Sequence, residues 1–72
     1  MKIDIKEKLN QDKLDMYIKQ FKLTPKYSEN SYIIMNHETT IDLFGGGKIT
    51  LQYNGMNVAY SEVLKYGEVE IK

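Results

Sequence analysis

Hydrophobic and polar residues alternate with period two along much of this 72-residue chain, and with helical spacing in one stretch. The densest alternation runs from Thr39 to Tyr60 and encloses two loops, Gly45-Gly46-Gly47 and Asn54-Gly55. Asn-Gly between alternating runs signals a two-residue hairpin, because both central residues of a type I′ turn need positive φ. That turn sets Tyr53 opposite Met56, Leu51 opposite Val58 and Ile49 opposite Tyr60 on an apolar face. Gln52 then faces Asn57, and Thr50 faces Ala59, on the other side. Closing the preceding hairpin with the three glycines sets Phe44 opposite Lys48, Leu43 opposite Ile49 and Ile41 opposite Leu51. Both loops assign the same inside and outside. A one-residue slip would invert a strand, so their agreement predicts three adjacent antiparallel strands.

Upstream, Ser31 to Met35 reads as a strand with large apolar groups on both faces. A two-residue turn at Asn36-His37 would send Tyr32 and Ile34 to the buried face, leaving Ile33 and Met35 on the other. The period changes at Leu14, Tyr17, Ile18 and Phe21, which recur at i, i+3, i+4 and i+7 and predict an amphipathic helix over about 11–23. Asn10, Gln11 and Asp12 offer capping side chains, and Pro25 ends the helix because it pushes the preceding residue out of the α region. Lys2 to Lys6 alternates as a short strand; one long helix over 3–22 is the competing reading. Ser61 caps a short helical turn over 62–66 that Gly67 stops, and residues 68–71 form a terminal strand. Its outward Glu68 and Glu70 would complement Lys2 and Lys6 if the terminal strands paired. The sum is one α+β domain over 1–72. One helix packs on a four- to five-stranded antiparallel meander (31–60 plus 68–71) in the order β-α-β-β-β-β. A small SH3-like β-barrel with an N-terminal helix is the alternative.

Composition narrows the setting. The chain has no cysteine, so it needs no oxidising compartment, and no apolar run approaches membrane-spanning length. A cytoplasmic protein is expected. Net charge is zero but unevenly placed: seven Lys face four acids in residues 1–26, and three Lys face six acids in 27–72. Every basic residue is Lys; without Arg, bidentate readout of bases and phosphates is disfavoured. Abundant Ile, Lys, Asn and Tyr point to AT-rich codons and a low-GC bacterium or its phages.

Little in the chain carries chemistry. The GGGK stretch lacks the spacing and Ser/Thr of a phosphate loop, and a strand is expected after it. His37 stands alone beside Glu38, where zinc would need three or four convergent ligands. Asp42, Glu38, Glu68 and Glu70 read as solvated sheet residues. No enzyme, cofactor or metal site is expected. The expected uncovered sheet face carries Ile33, Met35, Thr40, Asp42, Phe44, Thr50, Gln52, Asn57 and Ala59. Exposed apolar groups among short polar ones mark interfaces. Ile33, Met35, Phe44, Gln52 and Asn57, with Gly46 and Lys48 of the glycine tip, are therefore the candidate partner-binding residues. The expected partner is a protein, either a host protein or a second copy, reached through this face, the tip or an edge strand. An accessory or inhibitor protein of a phage or mobile element would act this way, anti-defence being one form. The alternative is a nucleic-acid-binding module using Lys13, Lys19, Lys22 and Lys26, with Lys6 and Lys8.

Overall fold

A computed structural model describes residues 2–5, 11–45 and 52–72 of the chain. The elements are β1 (Lys2–Asp4), α1 (Gln11–Lys22), β2 (Tyr32–Met35), α2 (His37–Phe44), β3 (Gln52–Tyr53), β4 (Met56–Tyr60) and β5 (Glu68–Ile71). The strands form one mixed sheet in the order β1-β5-β2-β4-β3. β5 pairs antiparallel with both β1 and β2, so those two run parallel with β5 inserted between them. β2 pairs parallel with β4, and β3 closes the far edge antiparallel to β4. This is an α+β fold with two helices and a five-stranded mixed sheet.

Period two sorts every strand. Ile5, Ile33, Met35, Met56, Val58, Val69 and Ile71 are buried in one cluster with Leu14, Ile18 and Phe21 of α1 and Leu43 of α2; Ile3, Tyr17, Phe44 and Tyr53 pack at its margin. Both helices therefore cover the same side of the sheet. α1 spans the predicted stretch, with Leu14, Ile18 and Phe21 buried at i, i+4 and i+7 and Lys19 and Lys22 in its last turn. The chain leaves it through a turn in which Thr24 N–H and Oγ1 both donate to the Phe21 carbonyl, at 3.0 and 2.7 Å.

The hairpin at Asn54-Gly55 forms in the expected register, Tyr53 against Met56 and Gln52 against Asn57. Asn54 (φ 50°) and Gly55 (φ 78°) both adopt the left-handed conformation that the turn requires. Met56 and Val58 point to the core, as that register demands. The terminal strands also pair: Lys2 stands across from Glu70, and its ammonium lies 3.7 Å from Glu68.

The meander is corrected. His37, expected in a turn, and residues 38–44, expected as a strand, form α2. Asn36 does not turn a hairpin; its carboxamide oxygen caps α2 by accepting from Thr39 N–H at 2.7 Å. β2 pairs not with the next described strand, β3, but in parallel with β4, and β3 lies beyond β4 at the sheet edge. β2 consequently takes its register from β4 and β5, with Ile33 across from Val58 and Ile71, and Met35 across from Tyr60 and Val69. Those neighbours face the core, so Ile33 and Met35 are completely buried and Tyr32 is 43% exposed. The expected inside and outside of this strand are exchanged. The 3–22 helix is excluded by β1, and an open sheet with β1 and β3 at opposite edges is not a barrel. Residues 61–67 form turns rather than a helical turn, with Ser61 Oγ accepting from Val63 N–H at 3.3 Å.

Candidate interaction face

With both helices on one side, the opposite face of the sheet carries no helix among the described residues. The pairing fixes its side chains in rows that run across the strands. One row reads Lys2, Glu70, Ile34, Ala59. The next reads Lys72, Tyr32, Asn57, Gln52, because Tyr32 and Lys72 exchange both backbone hydrogen bonds, at 2.6 and 3.0 Å. Asp4 and Glu68 lie beyond the first row. The face is thus apolar at its centre, on Tyr32, Ile34 and Ala59. It carries charges of both signs on the β1–β5 flank and amides on the β4–β3 flank. On the charged flank Lys72 Nζ lies 3.8 Å from Glu70. On the amide flank Gln52 Nε2 donates to Asn57 Oδ1 at 3.4 Å.

A second surface lies where α1 meets the β3–β4 turn. Asp15 Oδ1 accepts from Tyr53 Oη at 2.5 Å and from Asn54 Nδ2 at 2.6 Å. Lys22 Nζ donates to the Asn54 carbonyl at 2.6 Å. These bonds frame a shallow groove of about 350 Å³ lined by Asp15, Ile18, Lys19, Lys22 and Asn54. Burial, then the bond to Asp15, pushes the Tyr53 phenol well above its ordinary value. Tyr66 Oη donates to Asp42 Oδ2 at 2.6 Å, and that bond is the main cause of a raised phenol there too.

Of the expected partner-binding residues, Gln52 and Asn57 do lie on the open face, together with Ala59. Ile33 and Met35 do not: they are core residues, because β2 is turned over. Phe44 belongs to α2, half-buried with its ring 4.8 Å from that of Tyr53. Thr40 is buried in α2, where its hydroxyl donates to the Asn36 carbonyl. Gly46, Lys48 and Thr50 lie outside the described residues, as do Lys6 and Lys8. Tyr32 and Ile34 are the surface residues that the sequence reading missed. The signal available was the outward pair Glu68 and Glu70: any strand beside β5 shares that alternation.

The lysines proposed for nucleic acid are partly engaged within the fold. Lys13 Nζ donates to the Asp4 carbonyl at 3.3 Å, and Lys22 is tied to Asn54. Lys19 shares the groove with Lys22 and Asp15, and Lys26 is exposed just beyond Pro25. His37 opens α2, its ring edge-on to Tyr60 at 5.6 Å. No group of three or more His, Asp or Glu residues suited to a metal ion occurs among the described residues. Nor, among them, is any helix long and apolar enough to cross a membrane. No protein-family model, curated protein or solved structure matches the chain.

Proposed function

We propose that this chain is a non-enzymatic protein-binding module that docks its partner on the open sheet face. The observation carrying this reading is the exposure of Tyr32 beside Ile34 and Ala59, on a sheet whose other side already holds both helices. An aromatic anchor flanked by apolar residues, inside a ring of amides and charges, has the anatomy of an interface core and its polar rim. Phe44, in α2 and packed against Tyr53, takes no part in this docking surface. An accessory or inhibitor protein of a phage or mobile element, the role its size and composition fit, works through such contacts. The lysine face of α1 is the weaker candidate, since Asp12 and Asp15 interrupt it and two of its ammonium groups are held by backbone carbonyls.

A photo-crosslinking amino acid at position 32, with expression in a low-GC bacterial host, tests the reading. A covalent protein adduct is expected from position 32 and not from position 20 on the outer face of α1. Absence of an adduct at 32 with the protein folded defeats it.

A further inference from the structure

We infer that the partner of the open face is a second copy of this chain, seated face to face about a two-fold axis; the inference rests on the docking reading above. It comes from the two central rows. Glu70, Ile34 and Ala59 stand in one, and Lys72, Tyr32 and Asn57 in the other. Place a second sheet over the first, with the axis between them, running across the strands midway between the rows. The operation exchanges the rows. Glu70 then faces Lys72 of the second copy, Lys72 faces its Glu70, and Ile34 and Tyr32 cover one another at the centre.

A two-fold contact must use a patch complementary to itself, and this patch is so in charge on β5 and in apolar character at its Tyr32–Ile34 centre. The axis reverses strand direction but keeps the strands aligned, as sandwich packing requires. The Lys72–Glu70 contact within each chain becomes one half of a four-charge network. That network lies on β5, one strand from the β1 edge, where rim charges set register and specificity more than affinity. The opposite flank brings Ala59 over Asn57, small groups that allow close approach.

Light scattering on the full chain over a concentration series tests this, with circular dichroism confirming that each variant is folded. The wild type is expected as a dimer. E70K and K72E each set like charges opposite one another and should weaken self-association by about tenfold or more. The double variant E70K/K72E restores complementarity, because the swap is symmetric, and should recover the dimer. A merely structural role for the Lys72–Glu70 pair would not show as loss and recovery of mass. A dimer that persists unchanged in both single variants overturns the proposed seat. A wild-type monomer at high concentration overturns the second copy as partner. In that case, an adduct to another protein from position 32 leaves the docking face standing, and no adduct takes both readings down.

Discussion

At the scale of single residues, Asp15 does the most to join the helix to the hairpin. One carboxylate oxygen accepts from both Tyr53 and Asn54, and Lys22 fastens the same turn from the next helical turns along. A hydrogen bond to a charged acceptor contributes more than a neutral one. Burial first, and then this bond, make deprotonation of Tyr53 unfavourable, since a phenolate would be poorly solvated, lose its partner and face a carboxylate. The native phenol holds its proton above the ordinary value of 10.0, while the unfolded phenol does not. Between those two values the native state binds more protons than the unfolded state, so unfolding free energy falls as pH rises. The contribution is complete below pH 10 and is lost progressively above it. Tyr66, raised by Asp42, adds to the same slope. Urea unfolding from pH 8 to 11 should therefore show a declining midpoint. Tyr53→Phe should flatten that decline while lowering stability at pH 8 by about 1 kcal/mol. An unchanged alkaline slope in Tyr53→Phe would contradict the assignment.

At the scale of elements, the amphipathic helix, the Asn54-Gly55 hairpin and the charge match between terminal strands were all legible, because each rests on local chemistry. α2 was not. In Asn36–Gly45, Thr39, Ile41 and Leu43 alternate like a strand, and β-branched residues favour strands. The helical signals lay in the same letters: Asn36 as cap, Glu38 in the first turn, Thr40, Leu43 and Phe44 at i, i+3 and i+4, then glycine. Thr39 and Thr40 bury in the helix because their hydroxyls are satisfied, Thr39 Oγ1 by accepting from Gly67 N–H at 2.9 Å and Thr40 by bonding the Asn36 carbonyl. Gly45, with φ 92° and ψ 147°, ends α2 in a conformation that side chains disfavour. One misread element then turned β2 over, since the supposed Asn36-His37 hairpin dictated its register. In that register Ile33 and Met35 face outward and Tyr32 inward, the reverse of their places in the structure. If Asn36 is the cap, Asn36→Ala should cost about 1 kcal/mol, a drop of about 4–8 °C in Tm for a domain of this size. Asn36→Asp, which keeps the acceptor, should recover most of it. Thermal melts of the two variants check this; equal losses would mean that the carboxamide's bond to the Leu64 carbonyl, not the cap, is what matters.

At the scale of the whole molecule, β5 ties the first strand of the sheet to the rest. β1 and β2 run parallel and, among the described residues, only β5 bridges them, so residues 2–4 and 33–35 are joined through residues 68–71. Val69 and Ile71 are completely inaccessible, packed between the two earlier strands and under the helices. A hydrophobic core in a domain this small supplies only about 3–5 kcal/mol. Truncating a buried Ile to Ala removes about 2–5 kcal/mol. Ile71→Ala should therefore bring the protein to the edge of unfolding at 25 °C. Val63, 91% exposed in the preceding turn, is the matched control, and Val63→Ala should stay within about 0.5 kcal/mol of wild type. Denaturant titrations followed by far-ultraviolet circular dichroism measure both. Because β5 lies inside the sheet, between β1 and β2, the loss in Ile71→Ala should appear as one cooperative transition shifted to low denaturant. A separate early phase would mean that β5 frays first, taking β1 with it, and that β2, β4 and β3 hold together without it. The open face would then lose its charged flank without losing its centre, and the proposed self-association would have to rest on Tyr32 and Ile34 rather than on Glu70 and Lys72.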